Sequence, residues 1–171
     1  MSEIKFIVWT DASSIINNGI DETSTGYVIK DGKMPPFCGS KIYSGIGNSK
    51  GELKAGIESL ETLAEYCNCI PGIDTKNCIV ELRTDFHELK KSIDKRKIRK
   101  TEEPKKKRIF RELKKLQRRF KYVDCKEIYR SDNIAHNVCY FQISNRGNGI
   151  VKSFSELYEN PENCKIKTKQ D

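Results

Sequence analysis

The chain has no apolar run near the roughly 20 residues that a membrane-spanning helix needs, and its opening "MSEIKF" lacks the apolar core of a secretory signal. From both absences we expect a soluble, intracellular, cytoplasmic protein with no membrane partner. Any Cys-x-x-Cys spacing is also missing. The closest two of the seven cysteines are Cys67 and Cys69, and an odd total speaks against a disulfide framework or a zinc knuckle. Reduced, mostly buried thiols are expected instead. There is no internal repeat, and no boundary divides the 171 residues, a length that suits one domain with a single core.

What the chain has in excess is positive charge, and it is unevenly spread. The formal net charge is +8. Between Lys90 and Lys121 there are 17 Lys/Arg against 4 Asp/Glu, which leaves 15 against 20 for the rest. Charge runs are commonly just solvated helical faces, but this density is too high for that account alone. An acidic body with one strongly basic section suggests a polyanionic partner, nucleic acid first and an anionic surface second.

Hydrophobic periodicity orders the elements. Ile4 to Thr10 alternates faces and reads as a strand that runs into Asp11. A polar loop at Asn17, Asn18 and Gly19 is followed by "TGYVIKDGK", a second strand ending at an Asp31-Gly32 turn, and then "FCGSKIYSG", a third, antiparallel to it. From Gly51 the period becomes helical through Leu53, Ile57, Leu60 and Ala64, with Ser49 and Glu52 spaced as a capping box. "NCIVELRTD" is a strand that ends on Asp85, and "FHELKKSI" a helix. After Pro104, a helix with Ile109, Leu113, Leu116 and Phe120 on one stripe carries a cationic coat. "VDCKEIYR" is a fifth strand, and Ser131 is placed to cap a last helix with Ile134, Val138 and Phe141 on one face. The expected domain is 1–148, with a basic helical insert at 90–121 and a polar, Lys-rich tail at 149–171 that holds at most a turn at Phe154 to Tyr158. Three strands followed by alternating helices and strands imply an α/β mixed sheet covered by helices.

Each acid has a purely structural explanation. Asp11 could close an Asx turn with Ala12 and Ser13, Glu52 could complete the capping box, and Asp85 could cap the helix at Phe86 with Glu88 in the third position. Together they mean more. Carboxylates gathered at one edge of a sheet repel one another and lose hydration unless a cation compensates. Hard oxygen ligands suit Mg²⁺ or Mn²⁺, and two such ions about 3.5–4 Å apart support phosphodiester hydrolysis.

These segments resemble type I ribonuclease H and its relatives, including the ribonuclease H domains of reverse transcriptases. The likeness is carried by "IVWTDAS", "GNSKGELKAGIESLETL", "IVELRTDFHEL" and "RSDNIAHNVC" and covers Ile4 to about Asn145. It implies a ribonuclease H-like fold, with five strands in order 3-2-1-4-5, and a two-metal endoribonuclease that cuts the RNA strand of RNA/DNA hybrids. By carry-over, Asp11, Glu52 and Asp85 are metal ligands and catalytic. The fourth ligand is His136 or Asp132, with His136 placed first because Ala135 aligns with the family's alanine. Ser13, Asn48 and His87 are assigned to the substrate, as are Lys106, Lys107, Arg108, Arg111, Lys115 and Arg118 of the insert. The glycine-rich first loop of the family is replaced by "ASSIINNGIDETSTG", and its mobile histidine has no counterpart. The chain is expected to act as a monomer. Two alternatives remain: a binding module of the same fold without turnover, and a nuclease of the same fold acting on another duplex.

Overall fold

The computed structural model describes residues 3–31, 36–95 and 104–144. Outside them lie part of the turn expected at Asp31-Gly32, residues 96–103 of the basic section, Cys164, and the tail with its expected turn at Phe154 to Tyr158. Five strands, β1 (Ile4–Asn17), β2 (Ile20–Lys30), β3 (Phe37–Ser44), β4 (Cys78–Thr84) and β5 (Tyr122–Glu127), form one sheet in the order β3-β2-β1-β4-β5. The β1/β2 and β2/β3 pairs are antiparallel, while β1/β4 and β4/β5 are parallel. The expected fold class and strand order are those observed. Among the described residues four helices cover the sheet: α1 (Asn48–Cys69), α2 (His87–Asp94), α3 (Pro104–Gln117) and α4 (Ala135–Ser144). None is long and apolar enough to cross a membrane.

Strand alternation sends side chains to two cores. Phe6, Val8, Ile29, Val80 and Leu82 are fully buried on one face, in one cluster with Leu60 and Leu63 of α1, Leu89 of α2 and Leu113 of α3. On the other face Trp9 and Val28 pack with Ala135 and Val138 of α4. The α3 stripe is buried at Leu113 and Leu116, with Ile109 partly covered, while Phe120, buried as expected, lies past the end of the helix in a turn. Pro104, expected just ahead of this helix, is the first described residue of α3, a position that needs no backbone N–H donor.

The largest departure from expectation concerns β1. It does not stop at Thr10 but continues to Asn17, paired with β2 along its length. Asn18 and Gly19 both have positive φ, 50° and 78°, the backbone of a two-residue hairpin turn. The stretch read as a long first loop is therefore mostly hairpin. Asp11 sits inside this strand opposite Gly26 and closes no turn.

Two glycines let helices close on β1 around Asp11. A Cβ on Gly26 would stand 2.8 Å from the Cys139 backbone nitrogen and 2.9 Å from the Ala135 carbonyl oxygen, so only glycine lets α4 lie this near. On the opposite face a Cβ on Gly51 would stand 2.4 Å from Thr23 Cγ2 and 3.0 Å from Ala12 Cβ. Gly26→Ala is expected to cost about 1–3 kcal/mol by overpacking and to lift α4 from the sheet. Denaturant unfolding reads this, and an unchanged midpoint would contradict the close approach.

Candidate metal centre

The parallel pairing of β1 with β4 ends at Trp9 opposite Arg83. Asp11 and Asp85 each follow two residues later, so equal offsets bring two acids far apart in sequence to the same edge, where open α/β sheets place their sites. Glu52 arrives from the first turns of α1. One carboxylate oxygen from each of Asp11, Glu52 and Asp85 lies within 4.8 Å of the others. They line a cleft of about 420 Å³ with Ser13, Asn48 and Arg130.

The acids do not fill the capping roles that could have explained them. The N-cap of α1 is Gly47, with no side-chain cap, and Ser49 lies inside the helix. That of α2 is Phe86, again without a side-chain cap, and Thr84 Oγ1 accepts from the Phe86 amide at 3.1 Å. Asn133, not Ser131, serves α4, its Oδ1 accepting from the Ala135 amide at 3.3 Å.

Asn133 is also the residue that sequence reading missed. It is buried, and its Nδ2 donates to the Thr10 carbonyl at 2.9 Å and to Asp85 Oδ1 at 2.8 Å. One amide thus ties β1, the end of β4 and the start of α4 together. The signal was present as an asparagine just before a helical period, a preferred capping type. Arg130, which no sequence pattern singles out, also stands at the cleft.

Glu52 carries most of the electrostatic strain. Burial first, then the Asp11 charge and hydrogen bond, then the Asp85 charge push its carboxyl up, to about 9, against a smaller opposing pull from the Ala12 amide. Asn48 Nδ2 donates to Glu52 Oε1 at 3.4 Å, while buried Oε2 has no hydrogen-bond partner among the described residues. A buried, orphaned carboxylate oxygen beside two more carboxylates is costly without a cation and suited to holding one. The all-oxygen donor set fits a hard divalent ion.

His136, from α4, reaches the same place. Its Nδ1 lies 2.6 Å from Asp11 Oδ2, within hydrogen-bond distance. Cys139, one helical turn on, donates its thiol to the same oxygen at 3.6 Å. Burial, and then the Asp11 and Glu52 charges, push this thiol well above its ordinary value. Asp132 is not brought in. It is exposed in a 3-10 turn (Arg130–Asp132) that precedes α4, so it does not share a helical face with His136, and it belongs to neither group of converging ligand atoms.

Of the remaining expected substrate residues, Ser13 and Asn48 line the cleft. His87 is exposed outside it and pairs with Glu127 at 3.0 Å. On α3, Lys106, Arg108, Arg111, Lys115 and Arg118 are exposed and Lys107 is half-buried. Lys114 and Gln117 instead donate to the Ile93 carbonyl, at 2.6 and 3.1 Å, and pin α3 to the end of α2.

A mixed sheet in this order, with carboxylates at the carboxyl edge of its central strands, defines the ribonuclease H-like fold. Solved structures carry the same fold. RNase H1 from the halophilic archaeon Halobacterium salinarum superposes with a TM-score of 0.60 at 20% identity, covering 77% of this chain and 90% of that one. LC11-RNase H1, isolated from compost by a metagenomic approach, gives 0.67 at 23% identity over 82% of this chain and 96% of its own. The same enzyme in complex with an RNA/DNA hybrid gives 0.58 at 22% identity over 75% and 88%. The resemblance to type 1 ribonuclease H thus holds at the level of fold. No protein-family model and no curated protein sequence matches the chain.

Proposed function

We propose that the chain is a metal-dependent endoribonuclease that hydrolyses the RNA strand of RNA/DNA hybrids and leaves 3′-hydroxyl and 5′-phosphate ends. The observation that carries this is the convergence of Asp11, Glu52 and Asp85 within 4.8 Å in an open cleft on this fold. Those three would hold Mg²⁺ or Mn²⁺, and a pair of such ions would lower the pKa of a bound water and stabilise the departing oxygen.

The protein's own groups prepare the site. Asn133 holds one Asp85 oxygen and so orients that carboxylate. His136 does the same for Asp11, whose Oδ2 lies 2.6 Å from its Nδ1. Arg130 offers a cation at the cleft, and Asn48 and Ser13 offer polar atoms beside it. The exposed cations of α3 would contribute salt-sensitive affinity that ignores base sequence. Hybrid choice would rest on groove shape and 2′-hydroxyl contacts. The working unit would be a monomer.

A binding module without turnover is favoured by one observation: Asp11 Oδ2 is held by both His136 and Cys139. Labelled RNA/DNA, RNA/RNA and DNA/DNA duplexes of equal length, incubated with Mg²⁺, separate the possibilities. We expect cleavage confined to the RNA of the hybrid. Tight binding with no cutting in any divalent metal would establish the module, and preference for another duplex would refute the substrate assignment.

A further inference from the structure

Asp11 belongs to two overlapping ligand sets. Beside the three carboxylates, Asp11, His136 and Cys139 also offer one ligand atom each within 4.8 Å of one another. We propose that this second set is an inhibitory site for a thiophilic divalent cation, Zn²⁺ above all, which competes with the hard-cation site for Asp11.

The donor chemistry separates the two sets. Imidazole nitrogen, thiolate sulfur and carboxylate oxygen are the ligands of zinc, whereas Mg²⁺ takes oxygen and leaves sulfur alone. Positions 136 and 139 are three apart on α4 and therefore project from one face of the helix. Asp11 Oδ2 already stands 2.6 Å from His136 Nδ1 and 3.6 Å from Cys139 Sγ. A tetrahedron built on zinc bonds of about 2.0–2.3 Å has edges of about 3.3–3.8 Å, so modest shifts open room for the ion. Gly26 makes the set possible, because a side chain there would hold α4 off β2 beside Asp11. The imidazole is 27% exposed, which gives the ion a way in and a fourth position for water.

Binding breaks the Cys139 S–H bond and forms a sulfur–metal bond, and the proton leaves to solvent. His136 coordinates as the neutral ring through Nδ1, any proton on that nitrogen passing through solvent to Nε2, and its hydrogen bond to Asp11 is given up. The Asp11 carboxylate, bonded to the new ion, is then lost to Glu52 and Asp85. The inhibitory consequence rests on the hybrid cleavage proposed above, but the binding does not.

Co²⁺ added to the full chain in metal-free buffer is the direct probe, because a thiolate–cobalt bond gives a near-ultraviolet charge-transfer band. We expect a band that Zn²⁺ displaces, that Cys139→Ala abolishes, and that survives Cys125→Ala, Cys67→Ala and Cys78→Ala, the other buried thiols among the described residues, the last two with sulfurs 4.0 Å apart. A band that persists in Cys139→Ala, or none in the parent, overturns the site. Should Cys139→Ala fail to fold, Cys139→Ser retains the volume and a donor to Asp11 and must lose the band equally. In hybrid cleavage with Mg²⁺ present, Zn²⁺ should inhibit the parent at concentrations at least about tenfold lower than Cys139→Ser. Equal sensitivity would overturn the inhibitory role. A parent that cuts no hybrid strikes the proposed function instead, and the cobalt result still decides the site.

Discussion

Asp11→Asn and Asp85→Asn should each lower kcat on an RNA/DNA hybrid by at least about 100-fold, equivalent to about 3 kcal/mol of lost transition-state stabilisation. An amide keeps the volume and one acceptor oxygen but removes the charge that a hard cation needs. Asp11 is the more sensitive position, because it stands in both ligand sets and anchors His136. Hybrid affinity in Ca²⁺ should change little, since the exposed cations of α3 are untouched. Asp132→Asn, at an exposed residue outside the cluster, should leave turnover near the parent's value and serves as the control. If the Asp11 and Asp85 variants retain parental rates while Asp132→Asn does not, the centre has been assigned to the wrong acids.

The second large effect is on stability, and its sign follows from Glu52. Its carboxyl is raised from 4.5 to about 9 in the folded chain, so between those values the folded state binds more protons than the unfolded one. Metal-free stability should therefore fall as pH rises through that window. Mg²⁺ supplies the missing positive charge, so its stabilising effect should be small at pH of about 5 and grow toward about 8.5. Each ~1 kcal/mol of relief corresponds to about 2–4 °C in Tm for a chain of this size. Asp11→Asn removes the strongest neighbouring charge, and should raise the metal-free Tm at alkaline pH while flattening its slope. Thermal melts with and without Mg²⁺ at a few pH values decide this. A Tm indifferent to both pH and metal would mean that the three carboxylates do not share one buried site.

Much of the architecture could be read in the residues because local patterns specify it. Alternation marked five strands, a 3.6-residue period marked α1 and α3, and the order of elements implied the mixed sheet that is observed. Asp11 and Asp85 were visible because a charge that ends an apolar segment is conspicuous, and Glu52 through its capping-box spacing and the family resemblance. Boundaries were less legible. In sequence the Asn18-Gly19 pair reads as a loop, but positive φ at both residues makes it a tight hairpin turn and carries β1 past Asp11. Ser49 and Ser131 fit capping patterns that spacing alone cannot distinguish from chance, and Gly47 and Asn133 hold those places instead.

By itself, then, the sequence determined the strands, the helical periods, the basic segment and the identity of the acids, since these depend on neighbours a few residues away. Tertiary structure alone decided which groups meet. That His136 and not Asp132 reaches Asp11 follows from where α4 begins, and the approach of Asn133 and Cys139 from how near α4 can lie to the sheet. That distance is set by the absent side chain at Gly26, a residue 113 positions from Cys139 whose effect acts only across packed backbones.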